Sequence, residues 1–228
     1  MVKKATPVLG FGNFFRARVA TLGLNPSKKE FLDHNGKLLT GANRRLESLE
    51  SLGLRSLAGA TIKHRRLILD SCLSYFDIDK NPYVRWFGRF EPILKQMNVS
   101  FEKGTACHLD LVQTPTDPVW SYLSRQDKEY YLKHERWFLA EQLNNHHINK
   151  LLLNGKSVVK AFCQYFHLTL TTSKHRSPCG KSFEFFAGQI KLKGSQRRID
   201  VRGWSINIQS SYGVTSDLVC TIGSLCKK

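Results

Sequence analysis

Apolar residues fall along the chain in two patterns that alternate from one end to the other. The first is a short run of apolar or alternating residues, which is typical of a buried or half-buried strand. Such runs predict strands at residues 17–24, 105–112, 150–153 and 204–209, and strand-like segments at 183–192 and 198–209.

The second pattern places apolar residues three or four positions apart, which is the spacing of one face of an amphipathic helix. It predicts helices at residues 44–52, 62–76, 84–97, 156–166 and 215–225. A further helix is expected from Ser124 to about Asn144, because Asp127 follows Ser124 at the spacing of a capping box.

Strands separated by helical segments favour a mainly parallel sheet with helices packed on both faces. We therefore predict an α/β fold, a three-layer α/β/α sandwich with a mainly parallel central sheet of four to five strands. The chain of 228 residues shows no internal repeat and no linker-like stretch, so residues 1–228 are expected to form a single domain.

The end of the first predicted strand carries the first candidate for chemistry. Asn25-Pro26 follows Gly23, and proline fixes its own φ and favours extended geometry at Asn25. In open α/β sheets ligands bind at the carboxyl edge of the strands, where a neutral amide can orient a water molecule or a substrate carbonyl. The alternative is an ordinary turn, because Asn-Pro is a common turn opener.

Two further polar loops follow predicted strands, and all three loops are expected to meet at one edge of the sheet. They comprise residues 25–27, 112–116 and 209–213. Together they offer amides, hydroxyls and one aromatic ring, without a nucleophile–base pair or a cluster of metal ligands. Such a site suits recognition of a base and orientation of a water better than acyl or phosphoryl transfer.

The charge balance indicates a polyanionic partner. Lysine and arginine total 35 against 18 acidic residues, and the resulting net charge of +17 attracts nucleic acids. Aromatic and basic residues alternate in segment 83–90, as in nucleic-acid sites that combine cations with stacking rings. A solubilising surface charge over core aromatics and a membrane-surface protein are the alternatives. No stretch resembles a spanning helix or a signal peptide, so we expect a cytoplasmic protein without membrane contact.

The cysteines and histidines form no recognisable metal motif. The six cysteines include no C-x-x-C pair, and most are expected to be reduced thiols in the core. His146-His147 is a weak metal candidate, because adjacent helical positions point in different directions. No P-loop or G-x-G-x-x-G motif is present, and we expect neither a metal ion nor a cofactor.

Four motifs, taken in order, resemble those of a known family. They are Gly23-Leu24-Asn25-Pro26, then Leu111-Val112-x-x-Pro115-Thr116 with Leu123-Ser124, then Leu152-Leu153-x-Gly155-Lys156, and finally Ser211-x-Gly213. Their order, and their positions after strands, resemble the uracil-DNA glycosylase superfamily, most of all its mismatch-specific uracil/thymine-DNA and single-strand-selective branches. The resemblance extends from Val19 to Val219, with a divergent middle between Ser48 and Glu102.

The resemblance implies a four-stranded, parallel-type α/β/α sandwich that flips a nucleotide out of DNA and hydrolyses its N-glycosidic bond. The sugar would pass through an oxocarbenium-like state, and hydrogen-bond donors aimed at the leaving base would stabilise its developing negative charge. DNA is then the expected partner, and no obligate protein partner is expected.

The same resemblance implies a role for individual residues. Asn25 would orient the attacking water, and Gln209 and Ser211 would bind the base carbonyl and a phosphate. Phe31 is the candidate to stack on the flipped base, although it could equally anchor its loop to the core. Tyr212 stands where the family has a residue that wedges into the gap left in the duplex.

Further contacts are expected on two segments. Three more residues in or directly after the first motif would contact the substrate, namely Leu24, Pro26 and Ser27. The basic loop that joins the last two strand-like segments would bind phosphates through Lys193, Arg197 and Arg198.

Two positions depart from the family pattern. The third family motif usually presents His or Asn before Pro-Ser, whereas this chain has Gln209, which can donate to a carbonyl but cannot supply a cation. Gln209 could also simply bond backbone at the strand end.

Asp110 stands where some uracil enzymes use Asn to recognise the base. If it faces the site with His108, its carboxylate would accept from an exocyclic amine such as cytosine N4 and repel the carbonyl of uracil. The alternative is a structural carboxylate paired with Arg or Lys.

The leading hypothesis is a monofunctional DNA glycosylase that excises a modified, damaged or mismatched pyrimidine. The first motif lacks the acidic residue of the fastest uracil enzymes, which together with Asp110 and Gln209 is compatible with attack on modified cytosines of phage DNA as antiviral defence. No lysine is singled out as a Schiff-base nucleophile, so lyase activity is not expected.

Two alternatives remain open beside this hypothesis. One is a uracil-excising enzyme of base-excision repair, and the other is a catalytically inert nucleic-acid-binding module on the same fold. A nucleotide-binding enzyme of Rossmann type is disfavoured by the missing glycine motif.

Overall fold

The computed structural model describes residues 1–77, 84–192, 194 and 197–227. The strands within these residues are β1 (Val19–Gly23), β2 (Ala106–Asp110), β3 (Lys150–Asn154), β4 (Thr171–Arg176), β5 (Ser182–Lys191) and β6 (Arg198–Trp204). The helices within them are α1 (Ile62–Leu73), α2 (Val84–Phe87), α3 (Glu91–Lys95), α4 (Arg125–Asn145), α5 (Lys156–Phe166) and α6 (Ser216–Lys227). None of these helices is long and apolar enough to cross a membrane.

The strands form one sheet in the order β2-β1-β3-β6-β5-β4. The first four run parallel, and β5 and β4 extend the sheet in antiparallel orientation. The predicted α/β class and the mainly parallel sheet are confirmed. The described residues contribute six strands rather than four to five, because β4 has the polar sequence TTSKHR, which carries no apolar alternation.

Helices cover both faces of this sheet. On one face, Val159 of α5 packs so closely on β6 that a Cβ added to Gly203 would lie 2.9 Å from its Cγ2. The opposite face carries α6, where Lys150 Nζ of β3 donates to the carbonyl of Cys226 at 2.6 Å. Arg136 of α4 reaches the carbonyl of Tyr165 at 3.0 Å, which places α4 beside α5. The arrangement is compatible with the three-layer sandwich.

Three predicted elements differ from the structure. Residues 44–52 form turns instead of a helix, because the backbone N–H groups of Ser48 and Ser51 are bonded by each other's side chains at 2.8 and 3.1 Å. The predicted helix 84–97 is divided into α2 and α3 by a 3₁₀ turn, with a proline in the first turn of α3. Of the predicted strand 204–209, only Trp204 lies in a strand, as the last residue of β6, and the remaining residues form a loop.

The N-terminal segment packs along β2 rather than extending into solvent. Val2 and Val8 donate their backbone N–H groups to the carbonyls of Pro115 and Gln113, and Phe11 exchanges two backbone hydrogen bonds with His108. The segment thus covers the edge of the sheet beside β2. It also delivers Phe11 to the carboxyl end of the strands.

Candidate functional site

A cavity of about 190 Å³ lies at the carboxyl edge of the parallel strands. Its wall includes the last residue of β1, β2 and β3, which are Gly23, Asp110 and Asn154. It is smaller than the roughly 300–1,000 Å³ of pockets for drug-sized ligands, so it suits a group about the size of one aromatic ring. Of the predicted site residues, the wall contains Leu24, Asn25, Pro26, Ser27, Asp110 and Gln209.

A larger groove of about 530 Å³ runs along β4 and β5. Its wall includes Lys174, Arg176 and Glu184 on the outer strands of the sheet, and β4 is almost entirely exposed. Because the smaller cavity lies where three strands end and gathers the buried polar groups of Glu30, Asp110 and Asn154, we take it as the candidate site.

Asn25 is held by its amide nitrogen. Nδ2 donates to the carbonyl of Pro26 and to Thr116 Oγ1, each at 3.1 Å, and lies 3.5 Å from the carbonyl of Thr114. No described residue donates a hydrogen bond to Oδ1. The cavity wall therefore presents Asn25 with its nitrogen anchored and its carbonyl oxygen available as an acceptor.

The second predicted loop anchors this amide and does not itself line the cavity. Glu135 of α4 accepts from the backbone N–H groups of Gln113 and Thr114 at 2.7 and 3.0 Å. Thr116 is buried and accepts from Asn25. The loop is thus fixed from α4 and fixes the first motif in turn.

Asp110 faces the cavity, which settles the side of the strand on which it lies. The side chain is buried, and the ring of His108 lies beside it, with Nε2 at 3.6 Å from Oδ1. His108 is oriented by Thr21, whose Oγ1 lies 2.7 Å from Nδ1. The described residues form no lysine or arginine ion pair with Asp110, so the alternative of a carboxylate paired with Lys or Arg does not hold there.

Gly23 is required by this carboxylate. A Cβ added to Gly23 would lie 2.3 Å from Asp110 Oδ1 and 3.0 Å from His108 Nε2. Real side chains do not approach that closely, so any larger residue would displace Asp110. The glycine that ends β1 thereby makes room for an ionisable group at the cavity wall.

Glu30 is a cavity residue that the sequence did not reveal. It is buried at the wall, and Tyr75 Oη donates to its Oε2 at 2.6 Å. Burial raises the pKa of Glu30 from 4.5 to about 7, despite the opposing effects of the Tyr75 hydrogen bond and of Arg45. Its spacing from other polar residues carries no signal, because Tyr75 lies 45 positions away.

The loop after β6 is organised by Asn154, which the sequence analysis also missed. Its Oδ1 accepts from Trp204 Nε1 and from the backbone N–H of Ile208, both at 3.0 Å. Its Nδ2 donates to Asn207 Oδ1 at 3.1 Å and to Gln209 Oε1 at 3.0 Å. All four hydrogen-bonding positions of the Asn154 amide are thus used within the protein.

Gln209 has a defined orientation as a result. Its Oε1 accepts from Asn154, and its Nε2 donates to the carbonyl of Trp86 at 3.1 Å. An amide nitrogen carries two N–H donors, so one remains for a ligand at the cavity wall. The expected bonding to backbone does occur, and it coexists with a position at the cavity.

The aromatic wall differs from the expectation for Phe31. That ring is 2% exposed, belongs to the hydrophobic core and does not line the cavity, so the stacking role assigned to it is corrected to anchoring its loop. The rings at the wall are Phe11, Trp86, Phe87 and Trp120. They come from the N-terminal segment, α2 and a 3₁₀ turn, which only the tertiary fold brings together.

Ser211 and Tyr212 lie beyond the cavity wall. Tyr212 is 98% exposed, and its carbonyl accepts from Lys181 Nζ, which fixes the backbone and leaves the ring in solvent. Ser211 donates its backbone N–H to the carbonyl of Asn207 at 2.8 Å. Both residues therefore continue the loop that starts at the cavity.

The basic loop predicted to bind phosphates is at the other end of the sheet. Arg198 begins β6, and Trp204 at the end of that strand is six residues, or about 20 Å, further on. Arg197 donates to the carbonyls of Asn144 and Ile148, next to the C-terminal end of α4. Arg197 and Arg198 therefore do not lie beside the cavity, their binding of phosphates stays a prediction, and Lys193 lies outside the described residues.

Metal-binding geometry is absent from the part of the chain that the structure describes, where no cluster of three or more His, Cys, Asp and Glu side chains could hold an ion. His146 packs against the rings of Phe14 and Phe15, with centroids 5.4 and 4.8 Å away. The cysteines are less buried than expected. Three are buried in the core, one is half-buried, and Cys179 and Cys220 are exposed.

The cavity collects residues from two of the four motifs that resemble uracil-DNA glycosylases. The first motif supplies Asn25, the third motif spans Asn154, and Gln209 stands two positions before the last motif. The resemblance rests on these motifs and on their positions around the cavity, since no protein-family model and no curated protein matches the chain.

Proposed function

We propose that the protein is a monofunctional DNA glycosylase that takes a flipped pyrimidine bearing an exocyclic amine, such as a modified cytosine, and hydrolyses its N-glycosidic bond. The observation that carries this proposal is the cavity at the carboxyl edge of the sheet, which Asn25, Asp110 and Gln209 line together. A base flipped out of the duplex stack would place its ring in this cavity.

Asn25 is the residue to which we assign the attacking water. Its nitrogen is anchored by Pro26 and Thr116, which leaves Oδ1 as the acceptor for a water directed at C1′ of the sugar. A fixed acceptor needs no rearrangement as the oxocarbenium-like sugar forms, so the water is positioned before the bond breaks.

Asp110 and Gln209 are the residues to which we assign recognition of the base. The Asp110 carboxylate accepts from an exocyclic N4 amine, and the free N–H of Gln209 Nε2 donates to the O2 carbonyl. The same carboxylate repels the O4 carbonyl of uracil. A correct pair of this kind is worth about 1–3 kcal/mol of discrimination between bases.

The rings at the wall and the charge of the chain support the DNA partner. Phe11, Trp86, Phe87 and Trp120 line the cavity, and stacking of a base on an aromatic ring contributes about 1–3 kcal/mol. The net charge of +17 attracts phosphates. Tyr212, exposed on the loop that leaves the cavity, is our candidate for the residue that fills the vacated gap.

The biological use we propose is defence against phages whose genomes carry modified cytosines, inside the cytoplasm. The basis is the carboxylate at position 110, which favours an aminopyrimidine over uracil. Repair of uracil is the alternative on the same fold.

A base-release assay tests the proposed function. The protein is incubated with DNA containing modified cytosine, uracil, a G·T mismatch or unmodified bases, and free base and abasic sites are measured by mass spectrometry. We expect release from the modified-cytosine DNA. Release of uracil alone would support a role in uracil repair instead of the proposed role in phage defence.

A catalytically inert nucleic-acid-binding module is the second candidate. It is favoured by Gln209 at a position where the family that the chain resembles usually has His or Asn, because an amide supplies no cation to the leaving base. Binding to every DNA in the panel without any abasic product would establish it.

A further inference from the structure

Glu30 is a buried carboxyl group at the cavity wall that the recognition described above does not use. It ends the 3₁₀ turn Lys28–Glu30, which directly follows Ser27. The two lysines of that turn point away from it, since Lys28 pairs with Asp117 at 2.7 Å and Lys29 is exposed. Burying a carboxylate in such a place costs free energy. A carboxyl group found there is therefore expected to be protonated or to have a functional role.

Three groups from other elements surround the Glu30 carboxyl. Tyr75, just beyond α1, donates its phenolic O–H to Oε2 at 2.6 Å. Arg45 approaches the same oxygen at 3.9 Å through Nη1. Asp110 of β2 lines the same cavity and acts on Glu30 as a like charge. The first two favour the carboxylate and the third favours the neutral acid.

Burial outweighs the two favourable partners. It raises the pKa of Glu30 to about 7, and the negative charge of Asp110 contributes in the same direction. A group with such a pKa holds a proton in about half of the molecules at neutral pH, which is the range that suits a general acid.

A cytosine-type base needs a proton more than uracil does. As the C1′–N1 bond breaks, its electron pair stays on the ring, and a ring with one carbonyl spreads that negative charge less well than a ring with two. Its ring nitrogen N3 and its O2 are both acceptors, beside the N4 amine that Asp110 would accept from.

We propose that Glu30 is a catalytic acid that donates its proton to the departing pyrimidine at N3 or O2 as the glycosidic bond breaks. This inference rests on the proposed function. The base leaves as the neutral molecule, the water oxygen bonds to C1′, and the proton that this water releases returns through solvent to the Glu30 carboxylate. Atoms and charges balance without a further reactant.

The test is single-turnover base release from modified-cytosine DNA between roughly pH 5.5 and 9, with four proteins. For the wild type we expect a constant rate at low pH that falls as pH rises through about 7. Glu30→Gln keeps the shape and a hydrogen-bond donor but has no proton to transfer, so its rate should be about 10²–10⁴-fold lower, without that fall.

Tyr75→Phe and Tyr122→Phe are the matched pair of variants. Tyr75→Phe removes the hydrogen bond that favours the Glu30 carboxylate, so the pKa of Glu30 rises and the fall in rate moves to higher pH. Tyr122 is 80% exposed, and Tyr122→Phe should follow the wild-type profile. A purely structural role for Glu30 would lower rates without moving the profile.

A second measurement needs no substrate. The pKa of Glu30 in the folded state is raised above 4.5, so protonated Glu30 stabilises the folded state at low pH. This contribution to the free energy of unfolding is lost as pH rises through about 7. The free energy of unfolding of Glu30→Gln minus that of the wild type should therefore increase between about pH 4.5 and 7 and then level off.

The outcomes separate the two proposals. If the wild type releases base but Glu30→Gln is equally fast, or if the stability difference does not change with pH, Glu30 is not the acid and the glycosylase proposal stands. If the wild type releases no base from any DNA, the glycosylase proposal fails and the inference fails with it, whatever the titration of Glu30 shows.

Discussion

At the scale of single residues, Gly23 and the carboxylate of Asp110 are structurally coupled. The carboxylate occupies the space where a side chain on Gly23 would begin, and both residues end neighbouring parallel strands. The same carboxylate is the feature that distinguishes an amine-bearing base from uracil in the proposed function. Its replacement by the isosteric amide is therefore the sharpest change available at this scale.

We expect Asp110→Asn to shift the substrate preference of the protein towards uracil. The amide can donate to the O4 carbonyl that the carboxylate repels, and it no longer offers two acceptors to an N4 amine. The ratio of release rates, modified cytosine over uracil, should fall by about tenfold or more, which corresponds to the loss of about 1–3 kcal/mol of discrimination. Mass spectrometry of the released bases measures this ratio.

Asp70→Asn on the exposed face of α1 is the control for this change in charge. Asp70 is exposed and does not line the cavity, so its replacement should leave the ratio as it is in the wild type. An unchanged ratio in Asp110→Asn would remove base recognition from residue 110.

Single residues were predictable from sequence where a local motif placed them. Asn25, Asp110 and Gln209 lie at or after the carboxyl ends of strands, and the cavity wall contains all three. Glu30 was not predictable, because its hydrogen-bond partner Tyr75 lies 45 positions away in the chain. Phe31 was expected at the site. A large apolar side chain in a loop after a strand is as readily buried, and Phe31 is part of the hydrophobic core.

At the scale of elements, the loop after β6 is held by one amide of β3. Asn154 bonds the Trp204 indole, the Ile208 backbone and the side chains of Asn207 and Gln209. The loop has no regular secondary structure of its own up to residue 215, so its position depends on these bonds.

Asn154→Ala should therefore destabilise the fold and loosen this loop. It leaves the buried Trp204 N–H without its acceptor, at a cost of about 1–3 kcal/mol in the free energy of unfolding. Chemical denaturation measures the cost, and hydrogen exchange should be faster at the Ile208 amide. Asn145→Ala at the exposed end of α4 is the control, and equal exchange at Ile208 in both variants would refute this role of Asn154.

Elements were predictable from sequence when apolar periodicity was strong. The helices after Ser124 and from Lys156 to Phe166 match their predicted positions closely. Residues 44–52 have three leucines at helical spacing, yet side-chain bonds of Ser48 to the backbone favour a turn there. The polar edge strand β4 carried no periodic signal at all.

At the scale of the whole molecule, basic residues lie at both edges of the sheet. Arg198 lies at the amino end of β6, whereas Lys28 and Lys29 follow the cavity residue Ser27 directly. A nucleic acid bound over the cavity would thus approach Lys28 and Lys29 rather than Arg198. The fold class was predictable from the order of elements, but this distribution depends on strand direction.

Binding of DNA should fall steeply with salt, and two variants should separate the two basic regions. A plot of log affinity against log salt concentration has a slope near −0.9 for each phosphate neutralised in duplex DNA. Lys29→Gln should make the slope about 0.9 less steep, whereas Arg198→Gln should leave it unchanged. Fluorescence anisotropy with a labelled duplex measures both. Equal effects of the two variants would contradict binding over the cavity.

Single-turnover base release by the wild type and by Asn25→Ala tests the central claim most directly. Removing the amide that positions the water should slow release by about 10²-fold or more, with DNA affinity and thermal unfolding close to the wild type. The control is Asn35→Ala in an exposed turn, which should be as fast as the wild type. Release by Asn25→Ala at the wild-type rate would contradict the assignment of the cavity as the site of hydrolysis.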